Sequence, residues 1–114
     1  MRIKCYCNLY TGTSVANKKN QYILDLMNGN LAHTVYLITL AQGVQNHLEI
    51  FAASLLRQHI YDDKEIFIVG IAEKYYEAVE LVEEIVQDIL NQTGKPEIRK
   101  YIESEQRIFE EGRI

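Results

Sequence analysis

The sequence predicts an α/β domain built on a small, mainly parallel sheet of at least three strands flanked by helices. Three observations predict it. Segments 34–41 (Thr34-Val35-Tyr36-Leu37-Ile38-Thr39-Leu40-Ala41) and 66–72 (Ile66-Phe67-Ile68-Val69-Gly70-Ile71-Ala72) are apolar on both parities, as strands buried on both faces are. Residues 2–10 alternate apolar and polar with period two. Stretches with helical spacing separate these segments and follow the last of them. The expected order is strand, helix, strand, helix, strand, helix, helix (βαβαβαα), and such alternation argues for parallel strands joined by right-handed crossovers.

In the first segment Ile3, Cys5, Cys7 and Leu9 share one side, while Arg2, Lys4, Tyr6, Asn8 and Tyr10 share the other. A strand with only one apolar side suits the edge of a sheet, with Tyr6 and Tyr10 on a partly open face. Thr11-Gly12-Thr13-Ser14 breaks the alternation. Residues 14–27 have weak helical character, with Ala16, Ile23, Leu26 and Met27 on one face and Gly29 as a left-handed stop. Between the two apolar strands, Leu48, Phe51, Ala52, Leu55, Leu56 and His59 follow helical spacing, so a helix is expected over 47–59. Asn46 and Glu49 resemble a capping box at its start.

The clearest helix spans Glu73 to Thr93, where Tyr75, Ala78, Val79, Val82, Ile85, Val86 and Ile89 form a stripe opposite Glu77, Glu80, Glu84 and Asp88. Thr93-Gly94 closes it. Pro96 opens a C-terminal amphipathic helix over 96–112.

One domain, residues 1–114, is expected. The composition is that of a globular chain, with 47% apolar and 25% charged residues and a single proline. At this size folding removes roughly two-thirds of the chain's surface from water, enough for a core without metal or disulfide staples. The net charge is −4, and no basic stripe suggests nucleic-acid binding. Residues 1–64 carry six basic and four acidic side chains, whereas residues 65–114 carry six basic and twelve acidic ones. No apolar run is long enough to span a membrane and no signal-peptide pattern opens the chain. With only two cysteines, a soluble, acidic, cytoplasmic protein is expected.

No catalytic constellation is legible, and no metal or cofactor is expected. Cys5 and Cys7 continue an apolar stripe and read as small core residues, since zinc needs about four ligands. His33, His47 and His59 form no metal or catalytic pattern. Ligands of open parallel sheets lie beyond the carboxyl ends of the strands. The loops expected there make Thr13, Ser14, Asn46, His47 and Glu73 the candidate binding residues for a small anionic metabolite. No phosphate-binding glycine motif accompanies them.

The stripe Ile98, Tyr101, Ile102, Ile108 and Phe109 on the C-terminal helix must be covered, by the domain itself, by a partner or by a second copy. The functional expectation is therefore a non-enzymatic interaction or regulatory module that self-associates, as a homodimer for example, or binds a protein partner. A small enzyme or ligand-binding domain using the strand ends is the alternative.

Overall fold

The computed structural model describes residues 2–30, 34–58 and 62–112. Strand β1 (Arg2–Thr11) leads into two short helices, α1 (Thr13–Ala16) and α2 (Lys19–Met27). Strands β2 (Tyr36–Leu40) and β3 (Leu48–Ala52) follow, then a 3₁₀ turn over Ala53–Arg57 and strand β4 (Glu65–Ala72). Helices α3 (Tyr75–Thr93) and α4 (Ile98–Glu111) close the described chain.

The four strands form one mixed sheet in the order β1-β4-β2-β3. β1 and β4 are parallel, with Arg2 opposite Glu65 and Cys5 opposite Ile68. β2 is antiparallel to both of its neighbours, pairing Tyr36 with Ala72 of β4 and with Ala52 of β3. The expected neighbours 34–41 and 66–72 are thus adjacent and interior, but they run in opposite directions. Apolarity on both parities reports burial on both faces, and an antiparallel strand between two helical layers meets that condition equally.

The expected helix over 47–59 is the other correction. Gly43 takes a left-handed conformation (φ +80°) in the link over 41–47, and β2 turns back as a hairpin instead of crossing over. Leu48 and Ile50 of β3 then pack on one face of the sheet and Phe51 on the other. The spacing of Leu55 and Leu56 is absorbed by the 3₁₀ turn, which buries Leu56.

Each face of the sheet carries its own apolar cluster. One joins Val15 of α1, Tyr22 and Leu26 of α2 and Leu56 to Leu37, Ile66, Ile68 and Ile71. The other joins Ala78, Leu81, Ile85 and Ile89 of α3, and Ile98 and Ile102 of α4, to Ile38, Leu40 and Val69. Each fully buried Leu or Ile contributes about 1.5–3 kcal/mol, so either layer is a substantial source of stability. Gly29 and Gly94, both at positive φ, stop α2 and α3 as expected.

β1 lies at the edge of the sheet, as its alternation indicates, but both of its faces are covered. Five residue steps of β1, Cys5 to Tyr10, span two of β4. This irregularity changes which side chains face which way. Ile3, Cys5 and Leu9 pack toward α2's layer, while Tyr6, Cys7 and Tyr10 pack toward α3 and α4. Cys5 and Cys7, expected on one face, therefore lie on opposite faces, and both are free thiols. Tyr6 is 5% exposed rather than on an open face.

Candidate functional site

The five candidate ligand residues do not meet. Thr13, Ser14 and Glu73 follow Thr11 and Ala72, at the sheet end where Tyr36 pairs with Ala72. Asn46 and His47 precede Leu48, which pairs with Leu40 at the opposite end of β2. A five-residue strand, roughly 13 Å from first to last Cα, separates the two groups. They were expected together because β2 was expected to run parallel to β4; its reversal carries its carboxyl end to the other edge.

What lies at each edge also differs from expectation. Beyond β1, a cleft of about 330 Å³ is lined by Thr11, Gly12, Thr13, Tyr76, Glu77, Glu80, Leu81 and Glu84. A β-carbon on Gly12 would sit 3.2 Å from the Glu77 carboxylate, so the helix approaches the backbone closely there. Three carboxylates repel an anion. Glu73 accepts a hydrogen bond from the Tyr22 hydroxyl at 3.4 Å.

At the opposite edge Asn46 is committed to the fold. Its Oδ1 accepts the backbone N–H of Arg99 at 2.9 Å, and its Nδ2 donates to the Pro96 carbonyl at 2.8 Å. Arg99 is the second residue of α4, so Asn46 caps that helix from a distant loop instead of starting one of its own. The Arg99 guanidinium returns the contact by donating to the carbonyls of Gln45 (2.7 Å) and Ala41. His47 is exposed, with Nε2 3.7 Å from Glu49. His33 and His59 lie outside the described residues. Among the described residues, no group of three His, Cys, Asp or Glu side chains could hold a metal ion. No helix there is long and apolar enough to cross a membrane.

The stripe on α4 divides in two. Ile98 and Ile102 are buried in the chain's own core and Tyr101 packs against them. Ile108 and Phe109 stay 58% and 37% exposed. Toward its C-terminal end α4 passes β1: Gln106 Oε1 accepts the Cys7 N–H at 2.7 Å and Glu110 pairs with Lys4 at 2.9 Å. Gln106, itself buried, therefore takes the place of a neighbouring strand's carbonyl at that point. Lys4 also stands over the Phe67 ring, 5.7 Å from its centre.

Before Cys7 the edge of β1 opens into a groove of about 350 Å³. Ile23 and Met27 of α2 bound one side of it, and Gln106, Phe109 and Glu110 of α4 bound the other. The floor is residues Ile3 to Cys7. The Arg2 N–H points inward, donating to the Lys64 carbonyl at 2.9 Å. Along the regular run Arg2–Cys5, alternation then turns the N–H and C=O of Ile3 and Cys5 outward into the groove. Burial pushes the Cys5 thiol up to about 11, which keeps it protonated near neutrality and unsuited to nucleophilic or metal chemistry.

Sequence reasoning found Ile108 and Phe109 but missed Met27 and Gln106 as edge residues. The edge position of β1 was legible in its alternation; that α2 and α4 bracket it depends on the sheet order. Comparison with protein-family models, with curated proteins and with solved structures finds no match to this chain.

Proposed function

We propose that this protein is a protein-binding module whose working surface is the first half of the β1 edge, where an extended segment adds to the sheet as a fifth strand. The single observation that carries this reading is the groove between α2 and α4, which leaves the outward backbone groups of Ile3 and Cys5 facing a channel with apolar walls. Strand addition takes affinity from main-chain hydrogen bonds and selectivity from alternate side chains.

The other edge offers less. β3 is five residues long and carries Glu49 beside His47, features that blunt an edge against pairing. Exposed large apolar residues occur on the β1 side, as they do elsewhere at Val44, Leu55, Tyr75 and Tyr76. Leu24 and Met27 on α2, and Ile108 and Phe109 on α4, are all on the two helices that bracket it. The alternative of an anionic metabolite held at the strand ends gains no support, because Thr13, Ser14 and Glu73 lie at the opposite end of β2 from Asn46 and His47.

Selection of random peptides against the immobilised full-length chain tests the reading. The expected binders are extended sequences with apolar residues at alternate positions, and their binding is lost in Met27→Lys. Failure to enrich any peptide, or equal binding to Met27→Lys, would overturn it.

A further inference from the structure

We infer that Gln106 is a gate on the β1 edge: closed, it ends the strand-addition site at Cys5, and a longer extended segment displaces it and pairs as far as Cys7. The inference rests on the strand-addition reading above and adds to it the length of segment that binds.

Ile98, Ile102 and Gln106 stand four residues apart and are the buried positions of α4. An amide therefore occupies the third place in a row that is otherwise apolar. Burying it is costly unless it is hydrogen-bonded, and both of its ends are. Its Oε1 accepts the Cys7 N–H at 2.7 Å, and its Nε2 donates to Glu110 at 3.2 Å. Glu110 also pairs with Lys4 at 2.9 Å. The series Lys4, Glu110, Gln106, Cys7 thus begins and ends on β1, on either side of Cys5. Glu110 orients the amide so that its oxygen, and not its nitrogen, meets the strand.

An extended segment entering between α2 and α4 finds the outward groups of Ile3 and Cys5, and then meets Gln106 at Cys7. Residues 3–5 alone make a strand at the short limit of those in folded proteins, whereas residues 3–7 make one of the usual length. A carbonyl of the incoming segment can take over the Cys7 N–H, so that hydrogen bond is exchanged and not lost. Opening returns the Gln106 amide to water. Little stands in its way, because residues 107–112 are all exposed and the first half of α4 stays pinned by Ile98 and Ile102. Segments with few buried contacts are the ones that open at low cost.

Gln106→Met tests the gate, since it keeps the length of the side chain and deletes the acceptor. The first readout is amide exchange in the full chain without peptide. The Cys7 amide is expected to be slow in the parent protein and roughly tenfold or more faster in Gln106→Met, with the amides of β4 unchanged. A Cys7 amide already fast in the parent overturns the gate. The second readout is the peptide selection, run on both proteins, with the enriched sequences titrated at about five and about nine residues. The longer peptides are expected to bind Gln106→Met roughly three- to tenfold tighter than the parent, the effect of one hydrogen bond, and to slow its Cys7 amide; the shorter ones bind both alike. Longer peptides that bind Gln106→Met no tighter than the parent overturn the gate and leave strand addition standing. Peptides that bind neither protein overturn strand addition and the gate with it. If Gln106→Met loses its circular-dichroism spectrum, Glu110→Ala, at a side chain 48% exposed, frees the amide from its orienting partner, and the same comparison of long and short peptides decides.

Discussion

At Gly70 an added β-carbon would lie 3.0 Å from Ile38 Cδ1 and 3.4 Å from the carbonyl oxygen of Tyr10. These neighbours belong to β2 and β1, on either side of β4. Ile38 is fully buried, so it can give way only by displacing its neighbours in the core. Replacing glycine by alanine ordinarily stabilises a compatible site by about 0.4–1 kcal/mol through the unfolded chain, so the sign here is diagnostic. Overpacking is expected to win: Gly70→Ala loses about 1–3 kcal/mol, read as a lower urea midpoint at unchanged slope. A raised midpoint would show that β1 and β2 do not close on Gly70 from both sides. The sequence marks Gly70 as an interruption in an apolar run, and no more. The spacing that makes it necessary belongs to strands 30 or more residues away in the chain.

At the scale of the element, the clamp between the β2–β3 link and α4 decides a prediction. Asn46→Ala removes both the acceptor for the Arg99 N–H and the donor to Pro96. The expected loss is about 1–2 kcal/mol, the range for removing a helix cap. Asn46→Asp keeps the acceptor and should lose less. Equal losses for the two variants would mean that the cap does not contribute. The same residue shows what was legible in the sequence. Asn46 does read as a cap, but local spacing assigns it to residues 47–59, of which the described ones, 47–58, form no α-helix. The apolar positions 48, 51, 52, 55 and 56 fit a helix, and they equally fit a strand followed by a 3₁₀ turn. Tertiary pairing with β2 decides between them, and propensity does not outweigh it. By contrast, the long stripe of α3 is legible because nineteen residues give period 3.6 room to show, although the expected stripe lacks Leu81, which is buried.

For the whole molecule, placing the sheet between two helical layers makes alkaline pH a destabilising condition. One strand, β1, carries Cys5, Tyr6, Cys7 and Tyr10, and burial comes first among the causes that raise all four. Cys5 moves from 9.0 to about 11 and Tyr6 from 10.0 to about 12. Tyr10 is raised further by its hydrogen bond to Asp88, at 2.5 Å. In the unfolded chain these groups release protons near their ordinary values, while the folded chain still holds them. Above pH 9 the unfolded state therefore binds fewer protons than the native state, and stability falls as pH rises. The contribution is fully present below pH 9 and is lost progressively as pH climbs through 11 toward 12. Urea midpoints measured from pH 8 to 11 should be level at first and then decline from about pH 9. Cys5→Ala should remove part of that decline, because it deletes a group that loses its proton near pH 9 in the unfolded chain. A flat profile would mean that these side chains meet water in the native state as they do in the unfolded one. That would contradict the cover which α2 on one face, and α3 and α4 on the other, give to β1.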